Sequence, residues 1–437
     1  MTPFVTGLPS SPGTASGEIV LTSDQAVAAR GGPVILVIGH TTPADVPGIL
    51  ASAAVLTSGG GFSSHAAIIA RGAGVPAVCG ATDLRIDLTA GTVTANGRVL
   101  RAGDQISVDG GSGDVFAGVV EIGSDDELPA HPGGGLGIGV RANADTPRDV
   151  RAAIGNGADG IGLCRTEHQF LGDRLPLLRK ALADAAAFDE VVRVQRADFR
   201  DLFRAAGSVP VTVRLLDAPT HEFLPEAAEA NPMLGVRGVR QAVLHDRLYR
   251  AQARALFLAW TDVTDAPALD VMVPMVSLPE ELVWAAALVR RAADDVAGET
   301  GVAVPYRIGS MIETPRAALL ADRLAVTARF LSFGTNDLTQ LTYGFSRDDV
   351  ERQVLPDYRR LGLVHANPFE RLDPGGVGAL MEIAAGKARS VRPDITLSLC
   401  GEQGGDPESI ALCARLGLDY VSCSPARIPM ARLAAKR

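Results

Sequence analysis

From Leu136 onward the chain alternates short apolar runs with stretches of helical period. Eight runs read as strands: Ile138 to Ala142, Gly160 to Leu163, Val209 to Leu216, Val271 to Val276, Tyr306 to Ile312, Phe330 to Phe333, Ile395 to Leu399 and Tyr420 to Cys423. Eight alternating β and α units predict a (β/α)8 TIM barrel over residues 137–437. Helix starts agree with this reading. Thr146-Pro147, Thr314-Pro315 and Asp406-Pro407 each place a capping side chain before a proline at the first helical position, and Ser277-Leu278-Pro279-Glu280 reads as a capping box.

Before Leu136 the pattern changes. Residues 1–121 carry short β segments punctuated by glycine, at 17–21, 33–38, 54–57, 92–95 and 105–109, which predict a compact α/β module. Between the two parts, Gly123-Ser124-Asp125-Asp126-Glu127-Leu128-Pro129 and the Pro/Gly run after it lack periodicity. Residues 122–136 therefore read as a flexible linker.

Composition narrows the function classes. With 47% hydrophobic and 21% charged residues, the chain reads as ordinary globular protein. No basic, apolar leader opens it and no apolar run spans a bilayer, so the expectation is a cytoplasmic protein. A net charge of −9 without a basic tract argues against nucleic acid or an anionic membrane as partner. The five cysteines are scattered with no CxxC pair, so neither disulfides nor a zinc site is indicated. Lysine occurs only at 180, 387 and 436, so arginine carries nearly all positive charge, and a given arginine means something only through its position.

Position supplies two candidate centres. The first is His65, at the end of the glycine run Gly59-Gly60-Gly61 and the start of an apolar helix. Backbone N–H groups at a helix start favour an anion beside the imidazole and keep the free ring neutral, as a phosphoryl carrier requires. The same stretch also reads as a plain glycine turn capped by Ser63 or Ser64. The second centre is the face of the barrel where its strands end, the face on which such enzymes carry their sites. Arg165-Thr166-Glu167, Arg214 with Asp217, Glu313, Thr335-Asn336-Asp337, Cys400-Gly401-Glu402 and Cys423-Ser424 all fall there. Glu313 and Asp337 are hard oxygen ligands of the kind Mg²⁺ takes. Arg165, Arg214 and Arg237 offer forks for phosphate or carboxylate, with backbone donors from Gly334 to Asp337. Each pair alone also reads as a salt bridge, and Cys400 alone as core filler.

These residues lie in motifs that resemble the phosphoenolpyruvate-utilising enzymes, most closely the pyruvate, phosphate dikinases. The resemblance runs through Gly60-Gly61-Phe62-Ser63-Ser64-His65-Ala66-Ala67, Gly160-Ile161-Gly162-Leu163-Cys164-Arg165-Thr166-Glu167-His168 and Asn231-Pro232-Met233-Leu234-Gly235-Val236-Arg237-Gly238. It continues through Ser332-Phe333-Gly334-Thr335-Asn336-Asp337, Gly344-Phe345-Ser346-Arg347 and Cys400-Gly401-Glu402-Gln403-Gly404-Gly405. It implies a swivelling phosphohistidine domain followed by a TIM barrel, with phosphoryl exchange between phosphoenolpyruvate or pyruvate and His65. Arg165, Arg214, Arg237 and Arg347 would hold substrate, Glu313 and Asp337 would bind Mg²⁺, Gly334, Thr335 and Asn336 would contact the phosphate, and Cys400 would protonate enolpyruvate. It also implies a homodimer through the barrel. The dikinases begin with an ATP-grasp domain, whereas this chain begins at the phosphohistidine domain, so the expected partner is a separate ATP-grasp nucleotide-binding protein. Gln403, where the dikinases usually carry histidine, and a shortened segment before Asn231 are departures. A phosphotransferase acting on another protein or small molecule, and a non-enzymatic sensor of phosphoenolpyruvate or pyruvate, stand as alternatives.

Overall fold

The computed structural model describes residues 2–11, 13–29, 31–39, 41, 45–59, 69–70, 74–120, 136–170, 174–223 and 229–436. These fall into two compact units, Met1–His131 and Pro132–Arg437.

The first unit is built on strands β1 (Val5–Thr6), β2 (Leu8–Ser11), β3 (Thr14–Val20), β4 (Val34–Ile38), β5 (Ala54–Thr57), β6 (Ala77–Cys79), β10 (Gln105–Asp109) and β11 (Asp114–Ala117). They form one eight-stranded sheet in the order β1-β11-β10-β3-β4-β5-β6-β2, and β7 (Arg85–Asp87), β8 (Thr92–Ala95) and β9 (Arg98–Arg101) make a separate antiparallel sheet. The run from β3 to β6 is parallel. That explains why Val34-Ile35-Leu36-Val37-Ile38 is apolar without interruption: a parallel strand is covered on both faces. Ile35 and Val37 pack with Leu56 in one core, while Leu36 and Ile38 pack with Val55 and Ala70 in another. The five segments expected from the sequence are all strands. β1, β2, β6, β7, β9 and β11 were not anticipated, because runs of two to four residues carry too little alternation to register.

The second unit is a closed barrel of eight parallel strands in sequence order: β12 (Gly139–Asn143), β13 (Ile161–Cys164), β14 (Val211–Arg214), β15 (Leu269–Val273), β16 (Tyr306–Ile312), β17 (Phe330–Phe333), β18 (Thr396–Leu399) and β19 (Tyr420–Cys423). All eight predicted strands are present. One alternate set of side chains, including Val140, Val211, Val213, Val271, Leu331, Leu397 and Val421, packs against the helices in the main core. The other set points into the barrel, and part of it, Met272, Met311 and Phe330, forms a small apolar cluster with Leu163 and Cys400.

The cap prolines behave as expected. Thr146 Oγ1 accepts from Asp149 N at 3.2 Å, Thr314 Oγ1 from Ala317 N at 3.1 Å, and an Asp406 carboxylate oxygen from Ser409 N at 2.8 Å. One expectation is corrected: the helix Pro279–Thr300 is capped by Glu281, not through Ser277 and Glu280. A Glu281 carboxylate oxygen accepts from the N–H groups of both Ser277 and Leu278 at 2.8 Å, and Ser277 Oγ turns to Thr314 Oγ1 at 3.3 Å. Leu278 occupies the cap position and has no side-chain acceptor, so the acid one residue further on makes the reciprocal contact.

Candidate active site

The C-terminal ends of the barrel strands bring together a dense set of opposite charges. Arg214, at the end of β14, has only 11% of its side chain exposed. Its guanidinium donates to Glu167 at 3.0 Å and pairs with Asp217 at 3.2 Å. Asp217 is fully buried and also accepts from the Nε and Nη2 of Arg237, at 3.1 and 2.6 Å. Arg237 in turn donates to both carboxylate oxygens of Asp337, at 3.2 Å each. The result is an unbroken chain, Glu167–Arg214–Asp217–Arg237–Asp337, crossing the mouth.

Local backbone explains how such groups pack. Asp217 N and Arg214 both donate to the same Glu167 oxygen, which ties the end of β13 to the turn after β14. Gly238, following Arg237, has φ +56, and a Cβ there would lie 2.9 Å from an Asp217 carboxylate oxygen, so only glycine admits the approach. At Gly334 a Cβ would lie 2.6 Å from Glu313 Cγ, which places the β17 turn directly against that carboxylate.

Glu313, at the end of β16, is almost wholly buried. One of its oxygens accepts from Met275 N at 2.8 Å and thereby holds Met275 at φ +56, a conformation a non-glycine residue rarely adopts. Burial, then repulsion from Asp217 and Asp337, pushes the Glu313 carboxyl up to about 8, against the opposing pull of Arg214 and Arg237. A group in that field is ionised near neutral pH only when more positive charge arrives. The donor set therefore fits Mg²⁺: two hard carboxylates, one of them held back by unbalanced negative charge. Among the described residues no three His, Cys, Asp or Glu side chains are arranged to hold a metal, so a cation would take its remaining oxygens from substrate and water.

Cys400 follows β18 and is buried among Leu163, Met272, Met311 and Phe330. Burial raises its thiol above the ordinary cysteine range; Glu313 adds to this, while Ser332, Arg214 and Arg165 oppose it. At neutral pH the group is a protonated thiol. Its carbonyl accepts from Asn143 at 3.0 Å and its N–H donates to Phe333 O at 3.1 Å, which fixes the backbone between β12 and β17.

Arg165 stands at the rim, paired with Asp145 at 3.6 Å, and Asp145 also accepts from His168 at 2.9 Å. The His168 hydrogen bond and the Arg165 charge keep the Asp145 carboxyl low despite its burial. Thr335 and Asn336 are turned to the loop after β18: Thr335 Oγ1 donates to Gln403 Oε1 at 2.7 Å, and Asn336 Oδ1 accepts from Glu402 N at 3.2 Å. Gln403 is buried and its Nε2 donates to Pro368 O at 3.0 Å, so the residue that departs from the family pattern is a bracket between loops. The Arg347 guanidinium is not brought into the charge chain. It pairs with Glu351 at 3.4 Å and lies over Phe369, and its link to the site runs through Gln340, which accepts from Arg347 N and donates to Asp337. His65 lies outside the described residues.

Glu167 and Asp217 appear in the strand-end motifs, but nothing in the sequence assigns them work; in the structure they hold the arginines. Because Asp217 is buried between two guanidinium groups, Asp217→Ala should lower the stability of the barrel unit by about 3–5 kcal/mol, the usual cost of stranding buried charge. The urea midpoint of that unit checks this, and a shift of under about 1 kcal/mol would mean water replaces the carboxylate.

Comparison with known proteins agrees with this architecture. Residues 121–437 match the model described as PEP-utilising enzyme, PEP-binding domain, and residues 31–113 match PEP-utilising enzyme, mobile domain. The chain is 43% identical to a chloroplastic pyruvate, phosphate dikinase of Mesembryanthemum crystallinum, over 99% of this chain and 50% of the relative. It is 44% identical to a pyruvate, phosphate dikinase of Rhizobium meliloti, over 98% of this chain and 53% of the relative. It thus spans about half the length of these curated relatives. Among solved structures, a citrate lyase from Burkholderia xenovorans overlaps 54% of this chain at 19% identity and a TM-score of 0.33, too distant to bear on the site. No described helix is long and apolar enough to cross a membrane. With both units matched in order and the charged barrel mouth in place, the chain belongs to the family of PEP-utilising enzymes.

Proposed function

We propose that the chain exchanges a phosphoryl group between phosphoenolpyruvate or pyruvate and His65, as the phosphoenolpyruvate half of a dikinase-like system. The observation that carries this reading is the pairing, at one barrel mouth, of a buried thiol with a carboxylate pair set among buried arginines. A sensor of the ligand has no need of a group that gives a proton to carbon.

Arg165, Arg214, Arg237 and Arg347, with the backbone from Gly334 to Asn336, bind and orient the phosphate and carboxylate of phosphoenolpyruvate. Arg214 Nε has no protein partner and is free for this role, whereas Arg237 first loosens from Asp337. Glu313 and Asp337 are the residues that would hold Mg²⁺, which when bound supplies positive charge toward the phosphoryl and enolate oxygens. His65 attacks the phosphorus in line, and the bond between phosphorus and the enol oxygen breaks, its electron pair staying on that oxygen as the enolate of pyruvate. The Cys400 thiol then gives its proton to C3, making the methyl group of pyruvate; in reverse, the thiolate removes a methyl proton. His65 must reach the barrel and leave it; residues 122–136, read from the sequence as a linker, lie outside the described residues except for Leu136. The five free, buried cysteines suit a reducing compartment, and a cytoplasmic location belongs to the same proposal. So do an ATP-grasp partner for the nucleotide half-reaction and a homodimer through the barrel, both carried by the resemblance.

The test is to incubate purified protein with Mg²⁺ and phosphoenolpyruvate labelled in phosphorus, without nucleotide. The expected result is acid-labile, base-stable phosphate mapped by mass spectrometry to His65. Labelling on a serine, or none at all, would overturn the assignment. Transfer of the label onward to AMP and pyrophosphate on addition of an ATP-grasp protein from the same cell would support the dikinase reading.

A further inference from the structure

Helix Pro407–Arg415 and the segment 363–374 bound a cavity of about 560 Å³, within the roughly 300–1,000 Å³ typical of small-molecule sites. It is separate from the charged mouth, since none of Arg214, Arg237, Glu313, Asp337 or Cys400 lines it. Its walls are largely apolar, from Leu363, Leu372, Pro374, Ala411 and Leu412. Leu363 is 63% exposed, an apolar side chain that the rest of the fold leaves uncovered. The charged residues of the cavity are unequally occupied. Asp373 accepts from the N–H groups of Gly375 and Gly376, at 3.0 and 2.7 Å, as the cap of the turn that follows it. Arg371 pairs with Glu408 at 2.8 Å, but Glu408 is 69% exposed, so solvent screens the bond and an incoming anion can replace it. Arg415 ends its helix, and its guanidinium has no hydrogen bond or ion pair among the described residues. The uncommitted charge is therefore positive, and it stands beside uncovered apolar surface.

One wall of this cavity also holds parts of the catalytic mouth. Pro368 O accepts from Gln403 Nε2 at 3.0 Å, and Gln403 Oε1 accepts from Thr335 Oγ1 at 2.7 Å. Leu372 N donates at 3.0 Å to Ser409 Oγ, on the helix that carries Arg415. Between these anchors the Arg347 guanidinium lies over the Phe369 ring, and Asn367 Nδ2 donates at 2.7 Å to Glu351, the carboxylate that pairs with Arg347. Arg347 must leave both Phe369 and Glu351 to reach a substrate. A ligand that binds the wall as it stands therefore favours the state with Arg347 held away, and substrate must weaken that ligand by the same factor.

We propose that this cavity binds a small amphipathic anion, a single phosphate or carboxylate on an apolar body, and that its occupation lowers the affinity for phosphoenolpyruvate by keeping Arg347 against Glu351 and Phe369. The effect on affinity rests on the reading of Arg347 as a substrate-binding residue; the binding itself does not. Arg415 and Arg371 take the anionic group in the forked geometry that guanidinium offers to phosphate or carboxylate. Leu363, Leu372 and Leu412 cover the apolar body, which explains why a large apolar side chain stands at the surface here.

The experiment titrates the full chain, with Mg²⁺ and excess oxalate present, with phenyl phosphate, phenylacetate and inorganic phosphate by calorimetry. One of the two phenyl compounds should bind at least roughly tenfold more tightly than inorganic phosphate, and the tighter one identifies the anionic group. Arg415→Ala, at an exposed position, should weaken that binding by roughly tenfold or more, and Leu363→Ser should bring it close to that of inorganic phosphate. In exchange of label between pyruvate and phosphoenolpyruvate, the bound compound should raise the KM for phosphoenolpyruvate by about threefold or more with kcat unchanged. Arg415→Ala alone should keep the parent KM and lose the response. Failure of both phenyl compounds to bind more tightly than inorganic phosphate, or binding untouched by Arg415→Ala, would overturn the site. A rise in KM that survives Arg415→Ala is competition at the catalytic mouth and would overturn the coupling. Absence of exchange in the parent protein would instead overturn the assigned reaction while the calorimetry still decides the site, so the two failures are distinguishable.

Discussion

His65→Ala should end phosphoryl capture from phosphoenolpyruvate altogether, with no acid-labile phosphate above background. On the proposed reading the substitution removes the imidazole nitrogen that takes the phosphoryl group. It should leave the barrel's affinity for oxalate, an analogue of enolpyruvate, within roughly tenfold, about 1.4 kcal/mol, because the charge chain from Glu167 to Asp337 lies wholly within the barrel unit. Isothermal titration with oxalate alongside phosphate labelling checks both halves. Persistent labelling in His65→Ala would remove the carrier assignment while leaving the barrel chemistry untouched.

Cys400→Ala should have the complementary effect. The apolar cage of Leu163, Met272, Met311 and Phe330 raises the thiol above its ordinary range, and the substitution leaves the carboxylates and arginines of the mouth unchanged. Oxalate affinity should again stay within about tenfold, while exchange of label between pyruvate and phosphoenolpyruvate falls by at least roughly 10²-fold, the usual scale for removing a positioned acid. Glu313→Ala and Asp337→Ala should instead weaken Mg²⁺ binding and turnover together, since the cation's charge acts on substrate and transition state alike. Near-normal exchange in Cys400→Ala would return this cysteine to the role of packing, and C3 would need another proton donor.

A (β/α)8 architecture, the order of its strands and most helix starts were legible in the sequence because each is written locally. An apolar run of four to eight residues followed by a capped helix carries its own period, and Thr146, Thr314 and Asp406 act within three residues of themselves. The capping of Pro279–Thr300 was misread by one residue because serine and two adjacent acids offer the same local pattern, and only the backbone geometry selects Glu281. The strand-end positions of Arg214, Glu313, Asp337 and Cys400 were equally readable, since a barrel puts every strand end on one face.

What surrounds those residues was not readable. Arg214 meets Glu167 across 47 positions of chain, and Arg237 meets Asp337 across 100. Nothing in either local pattern distinguishes a substrate-binding arginine from one already committed to a carboxylate. The rise of Glu313 to about 8 depends on burial first and then on Asp217 and Asp337 arriving from two other strand ends, and the upward shift of the Cys400 thiol depends on burial by four residues from other strands. Sequence periodicity states which face of a strand is polar. Whether that face meets water, a helix or the inward faces of seven other strands is decided only when the barrel closes, because burial and electrostatics act through space between groups that the chain keeps far apart.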